Sequence, residues 1–440
     1  MARASKAMLV AILTVLLGVY GLAPGVSAEE RESRQDIFIS EDGHFNPANG
    51  VRSGTGTPED PYVISGWQVR NIHLKDTSAA VLIRDNVVTG RLTLNWNGGN
   101  ITVVDNQIRD LRVNENVRRT GEPTSGLIAR NKFDVVGQLR HFDGVFENNV
   151  VTGNRQGLQI PFFQNGQSVN FDGFNGSRFR NNTINGFVTV RLHGHHHSSG
   201  FGEDSHYHGA APAEHHHHGA MADHSQRYHR VYITNNVITS PGPYALNYVD
   251  TAHSANDRTA ASETNEELNK PHVHYTRVYM NNNRLIGSGL YVNIFNADDQ
   301  RHTGTRTGLL EIKNNTINFV QEDESNPFRW EEPAGISIYR ATDVHMLISG
   351  NKITRKDERG SVSSTEVPFF QGESVSGVML HYIEKAQIHI ADNFVSAMDF
   401  GVSARQMTES VEWWIHGLQT ESVAQDVYWD NSVENPPHRD

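Results

Sequence analysis

One phrase recurs through the chain and restricts what it can fold into more than any other feature: an apolar residue, any residue, a small turn-former, Asn, any residue, and a second apolar residue. It first reads Ile83-Arg84-Asp85-Asn86-Val87-Val88. It returns around Asn106, Asn131, Asn149, Asn182, Asn236, Asn283, Asn315, Asn351, Asn393 and, in a worn form, Asn431. The residue three before each Asn is Ile83, Val103, Ile128, Phe146, Phe179, Ile233, Met280, Ile312, Ile348, Ile390 or Tyr428, and the residue two after it is aliphatic or Phe. Both positions must face a core. In seven of the eleven copies the residue five before the Asn is apolar as well, which completes the period-two alternation of a half-buried strand. Each Asn therefore ends a strand.

The residue before the Asn is Asp, Asn or Gly in ten copies, the exception being Arg130. Such a pair suits a tight bend, because Asn and Asp tolerate the left-handed backbone region and hydrogen-bond their own backbone. Strand, bend and strand, repeated many times, is one turn of a solenoid whose neighbours bury each other's apolar edges. All eleven Asn residues are then expected in one line, their amides bonded up and down it as in other stacked Asn ladders. Successive Asn residues are 20, 25, 18, 33, 54, 47, 32, 36, 42 and 38 positions apart. Only the first three spacings approach a bare turn. The excess must leave the stack as loops, the longest between Asn182 and Asn236, and loops on a rigid scaffold are where function concentrates. From about Tyr62 to Val433 this pattern resembles the right-handed parallel β-helix proteins, which implies an all-β fold of that kind with long loops between its turns. That fold carries pectin lyases, glycosidases, phage tailspikes, epimerases and non-enzymatic surface proteins alike, so the resemblance implies an architecture and no single activity.

Met1 to Ala28 reads as a secretory signal peptide: Arg3 and Lys6, an apolar run from Leu9 to Leu22, then small residues at Val26-Ser27-Ala28. Residues 29–440 are expected to form a single domain. The early apolar run is short for a membrane span and no later stretch approaches that length. The chain contains no Cys, which excludes both a lipoprotein anchor and disulfides. The expected location is outside the cytoplasm: secreted, periplasmic or at the cell surface. Removal of Arg3 and Lys6 takes the formal charge from −12 to −14. An acidic surface disfavours nucleic acid and anionic membranes and leaves cations as natural partners.

The stretch from Gly54 to Trp67, with its Asp60-Pro61 turn, resembles the opening segment of β-helix proteins of the carbohydrate-binding and sugar-hydrolase superfamily. The same opening occurs in relatives of NosD, the periplasmic protein that helps mature the copper centre of nitrous oxide reductase. No metal ligand is carried over with these residues. Tyr62, Ile64 and Trp67 are expected to plug the open first turn, as solenoid ends require. At the other end, Val411-Glu412-Trp413-Trp414-Ile415 reads as a break in the alternation before a worn last repeat.

Several segments are candidates for chemistry. Pro161-Phe162-Phe163-Gln164-Asn165-Gly166-Gln167-Ser168-Val169 is echoed, with one residue fewer, by Pro368-Phe369-Phe370-Gln371-Gly372-Glu373-Ser374-Val375. Paired aromatics there either stack on sugar faces or pack the loop base onto the scaffold. Asp298, Asp299, Arg301 and His302, following the strand from Tyr291 to Phe295, which is expected to look inward, with His272 and His274 upstream, are raw material for polysaccharide cleavage. Pectin hydrolases of the resembled fold use several separated acidic motifs and a Gly-His-Gly segment, and only a paired Asp is present here.

The densest signal is a stretch holding twelve of the chain's 24 His: His193, His195, His196, His197, His206, His208, His215, His216, His217, His218, His224 and His229. They are interspersed with Glu203, Asp204, Glu214 and Asp223 and with Gly, Ala and Ser. Neutral imidazole is a favoured ligand for zinc, copper(II) and nickel, and a chain this loose can gather several rings round one ion in many ways. A rigid catalytic centre needs few, fixed ligands. This composition therefore indicates capture or buffering of divalent transition-metal ions without catalysis, and it resembles the His-rich loops of periplasmic zinc-uptake binding proteins. The alternative is a carbohydrate-binding or polysaccharide-degrading protein that carries the His-rich loop as an accessory.

Overall fold

The computed structural model describes residues 31–95, 97–114, 125–153, 167–173, 178–193, 228–240, 244–251, 275–295, 306–320, 334–356, 374–408 and 410–439. Within them, thirty-three strands join in one pairing network, and two short 3-10 segments, Asp42–His44 and Pro47–Asn49, are the only helical ones. Every strand pair is parallel. The sole antiparallel contact among the described residues is an isolated bridge between Ser53 and Val63.

The chain visits three sheets in rotation. Val81–Arg84 lies in the first, and after the bend at Asp85-Asn86 the strand Val87–Asn95 passes through the second and, beyond a register shift, the third. Ile101–Val104 then re-enters the first sheet directly beside Val81–Arg84. Three strands of sixteen residues, Lys132–Glu147, Ala334–Ser349 and Ser376–Ala391, run from one sheet into another without a break. The protein is therefore all-β, built of long parallel sheets, and its pairing is compatible with a β-helix.

The expected alternation accounts for the core. The residues three before each ladder Asn form one unbroken register row from Ile64 through Ile83, Phe146, Ile233 and Ile348 to Ile390 and Ile415. All of them are buried. Phe133, Phe146 and Phe179 stack inside, with ring centroids 6.0 and 5.2 Å apart.

The bend has one conformation throughout. Asp85, Asp105, Arg130, Asn148, Asn181, Asn235, Asn282, Asn314, Gly350 and Asp392 all have φ between 52° and 63°. The left-handed residue is thus the one before the Asn, where Asp, Asn and Gly cost least. Arg130 is the exception there, and its guanidinium makes a two-pronged ion pair with Asp105 one repeat earlier, Nε and Nη2 at 2.8 and 2.7 Å.

The Asn side chains themselves form a buried ladder of ten rungs, Asn86 to Asn393, none more than 3% exposed. Each backbone N–H donates to the Oδ1 of the next Asn at 2.8–3.0 Å. Each Nδ2 donates to that same Oδ1 at 2.9–3.2 Å. Its second hydrogen goes to the carbonyl of the row residue one repeat back, at 2.8–3.0 Å. Both donors and both lone pairs of each inner amide are used, which is why so polar a side chain can be buried so often.

The ends depart from the expected pattern. Asn431 is exposed and follows Gln425–Trp429, a strand of the third sheet paired with Phe400–Met407, so it is no rung of the ladder. The eleventh place belongs to Leu418, after Gly417 at φ 60°. Its strand, Glu412–His416, alternates regularly, Trp413 and Ile415 buried, so the predicted break at Val411 to Ile415 is absent. Without a side-chain amide, Leu418 cannot accept from Asn393, and the ladder stops.

At the other end Trp67 holds a ladder position too. Its backbone N–H donates to Asn86 Oδ1 at 3.0 Å, Gly66 takes the left-handed place with φ 71°, and Ile64 takes the row position. The segment read as a plug is therefore the first full repeat. The end is closed by Ile37, Ile39, Phe45 and Val51 instead. Phe45 stacks on Tyr62 at 4.4 Å, and the Trp67 indole N–H donates to the Gly50 carbonyl at 2.8 Å.

Candidate functional site

The His-rich segment departs from one sheet and returns in another. Phe187–His193 is a strand of the third sheet anchored by Val188 and Val190, both fully buried, and its last residue His193 pairs with Thr251 of the following repeat. The chain returns in Tyr228–Thr234 of the first sheet, held by buried Val231 and Ile233, with His229 paired to Thr276. His195, His196, His197, His206, His208, His215, His216, His217, His218 and His224 lie outside the described residues, as do the side chains of His193 and His229.

Two other sequence candidates connect the same two sheets. His193, Thr251 and Phe295 stand side by side at the ends of successive third-sheet strands. Tyr228, Tyr275 and Arg306 stand side by side at the starts of the first-sheet strands that follow. Residues 252–274, with His272 and His274, and 296–305, with Asp298, Asp299, Arg301 and His302, join these ends and lie outside the described residues. The two Phe-Phe-Gln segments both join the second sheet to the third, before Gln167–Gly173 and before Ser376–Ala391. Phe162, Phe163, Phe369 and Phe370 lie outside the described residues as well, while Val375 is buried. Among the described residues no group of three or more His, Asp or Glu could hold a metal ion, and no helix is long and apolar enough to cross a membrane.

One polar and aromatic face is built within the described residues. In Gly289–Phe295, Leu290, Val292 and Ile294 are buried while Tyr291 and Asn293 between them are half-exposed, so these two face away from the core. Asn247, Tyr291 and Ser337 form one register row across three repeats, and Asn293 pairs with Tyr339 in the next row. The rings of Tyr244, Tyr291 and Tyr339 follow one another at 4.7 and 6.4 Å. Asn293 Nδ2 donates to the Tyr291 hydroxyl at 3.3 Å. The amide oxygens of Asn247 and Asn293 and the Ser337 hydroxyl are buried without a hydrogen-bond partner.

The face ends at a corner of unusual backbone. Arg340, Tyr382 and Gln406 lie side by side in the left-handed region, with φ 55°, 57° and 50°. His381 stacks on Tyr382 at 4.2 Å, meets Tyr339 edge-on at 5.4 Å and contacts Gln406 Oε1 through Nε2 at 2.9 Å. Burial holds its imidazole below the usual His range, opposed by the Gln406 hydrogen bond, with Arg405 and Arg340 also lowering it and Asp430 raising it. His73, stacked on Phe38 at 5.1 Å, is lowered in the same way by burial and then by Lys75. Neither face nor corner follows from the sequence pattern: the strand from Tyr291 to Phe295, expected to look inward, buries Val292 and Ile294 and turns Tyr291 and Asn293 outward. No family model matches the chain, and no curated protein or solved structure is significantly similar to it.

Proposed function

We propose that the chain is an exported, non-enzymatic metal-binding protein, in which a right-handed parallel β-helix spanning residues 29–440 presents the His-rich loop from His193 to His229. Half of all His in the chain falls in that one insertion, and this carries the reading. Both flanks are strands pinned by buried aliphatic residues, so the scaffold can hold the insertion without lending it ligands. The cargo is zinc or copper(II), with nickel chemically acceptable, and soft selectivity suits buffering better than catalysis. The test is elemental analysis of tag-free protein purified from its native host. Bound zinc or copper, lost on dialysis below about pH 6 where imidazole protonates, is the expected result. Metal-free protein that also takes up none on titration contradicts it.

The half-exposed Tyr and Asn face favours a second reading, a carbohydrate-binding protein, because polysaccharide ligands need aromatic contact beside convergent polar groups. Under it the His-rich loop is an accessory. A screen of neutral and acidic polysaccharides for retention, and for ultraviolet-absorbing products of lyase cleavage, separates it from metal capture.

A further inference from the structure

Buried polar groups in folded proteins are almost always hydrogen-bonded, and each exception asks for an explanation. Four atoms of one neighbourhood bear on this. Asn247 Oδ1, Asn293 Oδ1 and Ser337 Oγ have no partner, although they stand on three successive third-sheet strands, and the Tyr291 hydroxyl between them already accepts from Asn293 Nδ2. The two orphaned amide oxygens can only accept. The ligand that completes them must therefore bring donors. Carboxylate or sulfate oxygens would set lone pair against lone pair there, so an anionic ligand is disfavoured by the same atoms that favour a hydroxylated one.

The surrounding rings limit the ligand's shape. Tyr244, Tyr291 and Tyr339 stand on three successive strands, stepping obliquely across them with ring centroids 4.7 and 6.4 Å apart. A linear chain of hydroxylated rings crossing those strands obliquely meets one Tyr ring per strand, beside the polar atoms of Asn247, Asn293 and Ser337. We infer that the third-sheet face carrying Asn247, Tyr291, Asn293, Ser337 and Tyr339 binds an uncharged glycan, whose hydroxyl groups donate to the unpartnered Asn and Ser oxygens. The inference rests on the carbohydrate reading and is independent of the His-rich loop.

Ser337→Ala is the informative variant. Removing a buried hydroxyl that has no partner leaves the free protein as stable as before or more so, whereas removing one that a ligand completes weakens binding. The experiment is calorimetric titration of the full chain, and of Ser337→Ala and Asn293→Leu, with neutral glucan, xylan, mannan and galactan oligosaccharides and with oligogalacturonate, beside thermal melts. At least one neutral oligosaccharide binds the full chain, Ser337→Ala weakens it about tenfold with an unchanged or raised melting temperature, and oligogalacturonate binds more weakly. Binding of oligogalacturonate as tight as that of every neutral sugar overturns the ligand class, though not carbohydrate binding itself. Neutral binding that survives both variants intact overturns the site. Absence of any sugar binding by folded protein overturns the carbohydrate reading along with it, and leaves metal capture untouched.

Discussion

Asn236 makes the reason for the repeated phrase concrete. Its Oδ1 accepts from the backbone and side-chain nitrogens of Asn182, and its Nδ2 donates to Asn283 Oδ1 and to the Phe179 carbonyl. Asn236→Leu strands several buried polar groups at once and is expected to cost about 3 kcal/mol in urea unfolding. Asn431→Leu, at an exposed turn off the ladder, is expected to leave the midpoint unchanged, and equal losses in the two variants would remove the ladder's special role. Gly417→Ala probes the bend itself. At φ 60° its new Cβ would sit 2.2 Å from Asp392 Oδ1, so the carboxylate must turn aside, and a loss of about 1 kcal/mol in the same assay is expected. The ten ladder positions are legible in the sequence because the amide bonding requires Asn and the bend just before it favours Asp, Asn or Gly. Trp67 and Leu418 are not legible, because at the terminal repeats one side of the amide bonding is missing and the backbone bend alone decides.

At the scale of the element, the long strands turn corners that the sequence does not announce. Tyr382 bends Ser376–Ala391 between sheets with the backbone expected of Asn or Gly, and His381 beside it is packed against Tyr339 and Tyr382. The groups facing that imidazole are Gln406, Arg405, Arg340 and Asp430. Because burial favours neutral His381 in the folded state, the unfolded chain binds the proton first as pH falls. Its contribution to stability is complete above the ordinary imidazole range, and it is lost as pH drops through that range towards the lower folded value. Urea midpoints of the native chain and His381→Gln should therefore converge or cross as pH falls from about 8 to 5. Parallel curves would mean that His381 titrates alike in both states. In the sequence this His is one unremarkable residue of an alternating strand, since only the corner brings Arg340, Arg405 and Gln406 round it.

Over the whole molecule, the uneven spacing of the Asn residues separates scaffold from insertion. Strand pairing continues in register across the gap between His193 and Tyr228, since the flanking strands Phe187–His193 and Tyr228–Thr234 each pair with strands of neighbouring repeats. Loop length costs little once the ends are fixed, so deleting Gly194 to Gln226 should leave the thermal melt nearly unchanged. The position of the insertion is legible from the spacing of 54 residues between Asn182 and Asn236, and the chemistry proposed for it rests on composition. The Tyr and Asn face is not, because it depends on which strands the three-sheet path sets side by side. The most direct measurement is calorimetric titration with zinc and copper(II) of the intact protein and of the Gly194 to Gln226 deletion, both confirmed as folded. Loss of most binding sites in the deletion, with calcium a poor competitor for those of the intact chain, is the predicted result. Full stoichiometry in the folded deletion would place the metal elsewhere and contradict the account.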